Sequence, residues 1–400
     1  MSSEMSMNIE IINLEDIELL NSLVEEVGFH PFEEVYLSSF LRDRSKEISD
    51  ILFENNLIEV MTNVFCERFN LEERLDSTCN NQCPICKENI QNSDHETTMI
   101  YKFDKKSVAL IKNLFKKKLE SKYLMYEYKQ NLEMLLNDKD SLVPFLGAGV
   151  SRPMGLPGWT ELLTILGENF VKDSQKEEYD DLLCEGDFMG ALDYLRSKSP
   201  FISTKDQLKE KIIEIIDDKL LPNVGENTHN YFDLAKIDTN FFITTNYDLC
   251  MVEFLSAQGK YAAPQVLADI SNIRSFMKSK SQVIHLHGYV KRKDTMIVSK
   301  EDYEPFYRQT ELLVQFASII ANRPLLFIGF SFNDKFFEDL YDKLQHILNT
   351  QHYIIIPNPT LKEAISFNRR NLKVIGLKVD ENKNDDLVEA IRVLINYIAG

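Results

Sequence analysis

From residue 142 onward the chain repeats one pattern: a short apolar run, bounded by Pro, Gly or Asn, followed by a helical stretch. The runs are Leu142–Leu146, Phe241–Thr244, Val283–Leu286, Leu325–Ile328, Tyr353–Ile356 and Lys373–Val379. Runs this short and this evenly apolar read as strands buried on both faces by helices. Strand alternating with helix predicts an α/β fold on a parallel, doubly wound sheet. The stretch from Glu161 to Lys236 breaks the rhythm with about three consecutive helices, near 161–174, 187–197 and 205–218, and reads as a helical insertion beside the sheet.

Residues 1–125 have a different texture. Ile9, Ile11, Ile12, Leu14, Ile17, Leu20, Leu23 and Val24 lie close to a helical stripe between Met7 and Val27, and Ile48 to Phe69 is similar. A polar break, Asn70 to Asn92, precedes a long periodic stretch from Ser107 to Leu136. The expected organisation is a mainly helical N-terminal region, 1–125, joined to an α/β domain, 126–400. At ~150 residues per domain, a length of 400 residues suits this division.

Charge limits the partners. Lys and Arg number 45 against 63 Asp and Glu, a formal net charge of −18. Such a chain repels a phosphate backbone overall, so nucleic acid is expected only indirectly, through a local patch or a complex. One basic face exists: Lys102, Lys105, Lys106, Lys112, Lys116, Lys117, Lys118 and Lys122. It reads as a phosphate-binding or partner-docking ridge or, more commonly for such a helix, as a solvated face. No apolar run approaches the ~20 residues that span a bilayer, and the start, MSSEMSMNIE, lacks a secretory pattern. The expected location is a reducing cytoplasm, with no membrane.

Three of the six cysteines fall within eight positions. Cys79-x3-Cys83-Pro84-Ile85-Cys86-x8-His95 has the ligand types of a Cys3His zinc site, with Cys66 as a substitute ligand. Four protein ligands would make any zinc structural. The irregular spacing, with a single C-x2-C, leaves unliganded thiols as the alternative.

The strand ends carry the chemistry. The first run leads into Gly147-Ala148-Gly149-Val150-Ser151-Arg152, a turn whose glycines would let backbone N–H groups approach a pyrophosphate. No Gly-Lys-Ser/Thr follows, so it is not a P-loop, and Arg152 stands where a dinucleotide fingerprint has its third glycine. A tight strand-to-loop turn is the alternative. Met154-Gly155-Leu156-Pro157-Gly158-Trp159 follows, either a cover over a ligand or a hydrophobic clasp. The second run ends in Thr244-Thr245-Asn246-Tyr247-Asp248, a site or a helix cap. The third ends in His285-Leu286-His287-Gly288, with both histidines on one face of the strand. The fourth ends in Gly329-Phe330-Ser331-Phe332-Asn333-Asp334. Ligands of open α/β sheets bind beyond such ends.

The order GAGVS, GLPGW, TTNYD, LHG and GFSFND resembles the sirtuin-like domains of bacterial antiphage defence effectors, over about 139–400. The resemblance implies a Rossmann-like sheet with a small second subdomain, and NAD as the bound nucleotide. It places Gly147, Ala148, Gly149 and Ser151 at the pyrophosphate, and Arg152 and Trp159 in a covering loop. Thr245 joins the NAD contacts, Asn246 positions water or ribose, Asp248 holds the nicotinamide carboxamide, and His287 is the base on the ribose side. Gly329 and Ser331 meet the adenosine end, with Asp334 nearby.

Nicotinamide leaves from NAD as a neutral molecule. The site therefore needs an oriented nucleophile and a base, expected near neutral pKa, rather than a strong acid. Sirtuin deacylases carry TQNID, and a four-cysteine ribbon after the HG; here no cysteine follows Cys250. That shifts the expectation from deacylase to an NAD hydrolase releasing nicotinamide and ADP-ribose, latent until triggered or partnered. The resemblance further implies a homo-oligomer and a HerA-type ATPase partner. The alternatives are an NAD-dependent protein deacylase and a non-catalytic module that senses NAD or ADP-ribose.

Overall fold

The computed structural model describes residues 12–75, 81–260, 263–321, 323–330, 338, 341–342, 345, 350–383 and 385–399. The chain divides into two compact units, Met1–Lys122 and Tyr123–Gly400.

In the N-terminal unit, helices Leu14–Val27, Glu34–Leu41 and Ser45–Glu54 carry most of the regular structure, together with the greater part of helix Lys105–Tyr123. Ile17, Leu20, Leu23 and Val24 pack with Ile48, Leu52, Phe103 and Ile111 in one core. Ile9 and Ile11 of the expected stripe lie outside the described residues. The unit also holds a four-stranded antiparallel sheet, of β1 (Phe32–Glu33), β2 (Glu59–Cys66), β3 (Leu71–Arg74) and β4 (His95–Lys102), ordered β1-β4-β2-β3.

The expected helix over 48–69 is corrected. It stops at Glu54, Asn56 turns the chain with φ +51°, and β2 follows. The period changes there: Val60, Thr62, Val64 and Cys66 alternate along one face of a strand. The long periodic stretch is likewise two helices, ending at Tyr123 and resuming at Lys129–Asn137.

The second unit carries the parallel sheet expected from the apolar runs. Its strands are β5 (Val143–Leu146), β6 (Phe241–Thr244), β7 (Ala263–Val266), β8 (Gln282–His285), β9 (Leu325–Ile328), β10 (His352–Pro357) and β11 (Leu372–Leu377). Their order is β11-β10-β9-β5-β6-β8-β7, with every pairing parallel. Strand β7 has no counterpart among the apolar runs; it is an edge strand, the position in a sheet where a proline such as Pro264 is tolerated. Phe145 and Phe327 stack at 5.0 Å in a core shared with Phe241, Ile243, Ile284 and Ile354.

The helical insertion contains four long helices rather than three, Trp159–Phe170, Asp173–Cys184, Phe188–Lys198 and Lys205–Lys219, and then the short helix Tyr231–Leu234. The unexpected second helix buries only Tyr179, whose hydroxyl donates to the Leu163 carbonyl at 2.7 Å, so it leaves almost no apolar stripe to read. The chain starts β5 at the middle of the sheet, extends to one side through β6 and β8, and returns to the other through β9. The strand order therefore switches at β5.

Candidate active site

Beyond the carboxyl ends of β5, β6, β8 and β9 lies a cleft of about 1220 Å³, at the switch point where open α/β sheets take their ligands. Ala148, Gly149, Ser151 and Arg152 line it after β5, Thr245, Asn246 and Asp248 after β6, His287 after β8 and Gly329 after β9, with Trp159 from the loop between. These ten expected residues therefore meet in one place. Gly147 is buried just before them, and Ser331 and Asp334 lie outside the described residues.

The glycines of the first turn answer first to the protein's own backbone. A Cβ on Gly147 would sit 2.5 Å from the Gly329 carbonyl oxygen, and one on Gly149 would sit 2.8 Å from the Gly329 Cα. Gly329 itself adopts φ +74°, and Gly149 N–H donates to its carbonyl at 3.0 Å. The N–H groups of Gly147, Val150 and Ser151 are also bonded within the protein. Ala148 N–H has no protein acceptor among the described residues. The close approach expected for a pyrophosphate is thus used mainly to join two strand-end turns, leaving one N–H open at the cleft.

Asn246 is tied on four sides. Its Nδ2 donates to the Gly147 carbonyl at 3.1 Å and lies 2.9 Å from Ser151 Oγ. Its backbone N–H donates to Thr244 Oγ1 at 2.9 Å, and its carbonyl lies 3.0 Å from His285 Nδ1. Ser151 Oγ is 2.8 Å from both Asp248 Oδ2 and the Tyr231 hydroxyl. Asp248 Oδ1 accepts from Cys250 N–H at 3.0 Å, so the carboxylate closes the network and ties it to the first residue of helix Cys250–Ala257. Ser151, which resemblance places at the pyrophosphate, lines the cleft with its side chain buried and its hydroxyl engaged in this network.

The two histidines part company. His285 is buried with its Nδ1 on the Asn246 carbonyl, while His287 reaches the cleft, its ring edge-to-face with Tyr303 at 5.2 Å. Burial lowers the His287 pKa to about 3, well below the near-neutral value expected of a base. Burial also lowers His285, against the opposing effects of its bond to Asn246 and the Asp248 charge. Burial, then the charge of Asp248, raises the Tyr231 phenol well above its ordinary value. Tyr231 went unread in the sequence because it lies near the end of the helical insertion inside no motif; only its place in the fold brings it to Ser151. Arg152 is exposed, 3.5 Å from Glu161, and the Trp159 ring lies 6.4 Å from that of Tyr247.

A second cluster lies in the N-terminal unit. One ligand atom from each of Cys66, Cys83, Cys86 and His95 falls within 4.8 Å of the others. Cys66 and His95 are register partners on β2 and β4, and His95 Nε2 is 3.1 Å from Cys86 Sγ. Burial opposes ionisation of Cys83, but the N–H groups of Cys86 and Ile85 and the neighbouring thiols outweigh it and lower the thiol to about 7. Three soft thiols and an imidazole suit zinc. Of the expected set, Cys83, Cys86 and His95 come together with Cys66, the substitute ligand, and Cys79 lies outside the described residues.

Residues 240–375, which carry Asn246, Asp248 and His287, match the family model of the SIR2-like domain. Together with the parallel sheet and its switch-point cleft, this makes the second unit similar to the SIR2-like class. Among individual proteins, the chain is 25% identical over 240 residues to the NAD(+) hydrolase ThsA of Acinetobacter baumannii (strain 532279), covering 58% of this chain and 46% of that protein. It is 23% identical over 253 residues to the NAD(+) hydrolase ThsA of Enterococcus faecium, covering 61% and 48%. The ThsA of Bacillus cereus (strain MSX-D12) is 24% identical over 217 residues, covering 53% and 42%. The chain spans less than half the length of these curated relatives. No helix among the described residues is long and apolar enough to cross a membrane.

Proposed function

We propose that this protein is an NAD hydrolase that splits the nicotinamide–ribose bond, releasing nicotinamide and ADP-ribose and depleting NAD as an antiphage defence effector. The observation that carries the reading is that Asn246 and His287 line the same cleft at the strand-order switch. The similarity to three NAD(+) hydrolases supports it.

In this reading the C–N bond breaks with its electron pair leaving on nicotinamide, and water adds to the oxocarbenium-like carbon. Asn246 and His287 orient that water. An imidazole with a pKa of about 3 is a weak base, but water that has bonded to such a carbon is a strong acid, so His287 suffices as the proton's first acceptor. Ala148 N–H meets the phosphates, and Gly329 and Ser331 serve the adenosine end. Thr245, Asp248, Arg152 and Trp159 enclose the nicotinamide side.

The enzyme is latent in the cytoplasm until triggered, works as a homo-oligomer, and pairs with a HerA-type ATPase. Co-elution with that partner on size exclusion is expected, and separate peaks would remove it from the reading. Cys66, Cys83, Cys86 and His95 hold a structural zinc.

The test is chromatography of NAD incubated with the protein. Nicotinamide and ADP-ribose should appear together with wild type, and Asn246→Ala and His287→Ala should each lower the rate by ~10²–10⁴-fold. Calorimetric binding of NAD with no turnover, also in the partner's presence, would replace the hydrolase with a sensing module.

A further inference from the structure

The groups around the Asn246 amide have hydrogen-bonding senses fixed by their chemistry. The Gly147 carbonyl only accepts, so the amide atom 3.1 Å from it is Nδ2. The same Nδ2 meets Ser151 Oγ at 2.9 Å, so both of its hydrogens are used. Ser151 has one proton to give, and the Asp248 carboxylate at 2.8 Å takes it. Tyr231, 2.8 Å from the same Oγ, must then be a donor. Ser151 is thereby saturated, accepting twice and donating once. Tyr231 is held for this purpose: it is 1% exposed, with its ring stacked on Phe254 at 5.1 Å. The remaining amide atom, Oδ1, has no protein partner among the described residues, and Asn246 lines the cleft.

We propose that Tyr231 is a positioning residue: by completing the bonds of Ser151 it locks the Asn246 amide with Oδ1 toward the cleft, where it accepts from a hydroxyl donor, water or a ribose diol. The identity of that donor rests on the NAD cleavage proposed above; the lock does not. A flipped amide would set two oxygens against each other at Gly147. Losing the phenol hydroxyl therefore loosens the amide rather than reversing it.

Two measurements test this on the full chain. With asparagine labelled by 15N, the Asn246 NH2 pair is assigned by its disappearance in Asn246→Ala, and its hydrogen exchange is followed. Exchange should be at least ~10-fold faster in Tyr231→Phe than in wild type; equal rates would overturn the lock. Ser151→Ala removes the acceptor that Tyr231 and the amide share, a loss of three bonds rather than one, and must speed exchange at least as much; an unchanged rate in it overturns the lock even where Tyr231→Phe fails to fold.

The second measurement is nicotinamide release. Tyr231→Phe should lower kcat ~10-fold or more with KM within about threefold, and should cost nothing further in the Asn246→Ala background. Additive losses would show that Tyr231 does not act through Asn246. A wild type that neither binds nor cleaves NAD would remove the proposed reaction and leave the exchange data to decide the lock.

Discussion

Buried imidazoles contribute to the acid behaviour of this protein. Burial places His287 at about 3 and His352 at about 4, and the neutral His352 Nδ1 accepts from Leu325 N–H at 3.0 Å at the head of β10. Both lie below the ordinary histidine value of ~6.5, so the unfolded chain binds more protons between that pH and the folded values. Their contribution to stability is whole above about pH 6.5 and drains as pH falls toward 4 and then 3. The melting temperature should therefore drop steadily from pH 7 to pH 5. His352→Gln, which keeps an acceptor but does not titrate, should flatten that slope while lowering the value at pH 7. The catalytic expectation has the opposite shape. Because His287 stays neutral down to about 3, nicotinamide release should be level from pH 8 to pH 6. A fall in initial rate with an apparent pKa near 6.5 would show that the imidazole escapes its burial during turnover.

Among elements, the turn after β5 and the turn after β9 behave as one piece, because the backbones at Gly147, Gly149 and Gly329 touch. Gly147→Ala places its new methyl 2.5 Å from a carbonyl oxygen that has no side-chain freedom to yield. It should cost ~1–3 kcal/mol, read as a lower urea midpoint, and should lower NAD cleavage further by shifting the Gly147 carbonyl that Asn246 holds. Gly225→Ala is the contrast: φ is −62° and ψ 142°, and the nearest atom to its new methyl is 3.8 Å away. It should be neutral or stabilise by up to ~1 kcal/mol.

The same scale shows what could be read in advance. Strands buried on both faces wrote their apolar runs plainly, and Phe241–Thr244 and Leu325–Ile328 are strands at those bounds. Strand β7, half-buried with Pro264 inside it, and helix Asp173–Cys184, half of whose residues are charged and which buries only Tyr179, leave no such stripe. That Asn246, Asp248 and His287 would meet in one cleft could be read in advance because all three follow strand ends of a parallel sheet. Tyr231 and the true environment of Ser151 depend on tertiary packing that no local motif records.

At the scale of the whole molecule, the two units have different means of support. The second rests on a large core between sheet and helices, whereas the far end of β2 and β4 rests on a small one of Val64, Cys66 and Cys83, flanked by Ile85, Cys86 and Ile90. So few buried side chains offset little chain entropy, and small folds of this kind usually carry a staple. A zinc ion on Cys66, Cys83, Cys86 and His95 would be that staple, since metal binding to a site absent from the unfolded chain is folding free energy. The choice of Cys66 depends on the β2–β4 register, which pairs it with His95 across 28 intervening residues and cannot be seen in cysteine spacing alone. Protein purified without chelator should contain about one zinc per chain, and Cys66→Ser should lose most of it. Cys79→Ser should keep it. A chelator should lower the melting temperature of wild type and leave Cys66→Ser unmoved. Zinc retained by Cys66→Ser and lost from Cys79→Ser would restore the set read from spacing and overturn the one read from the register.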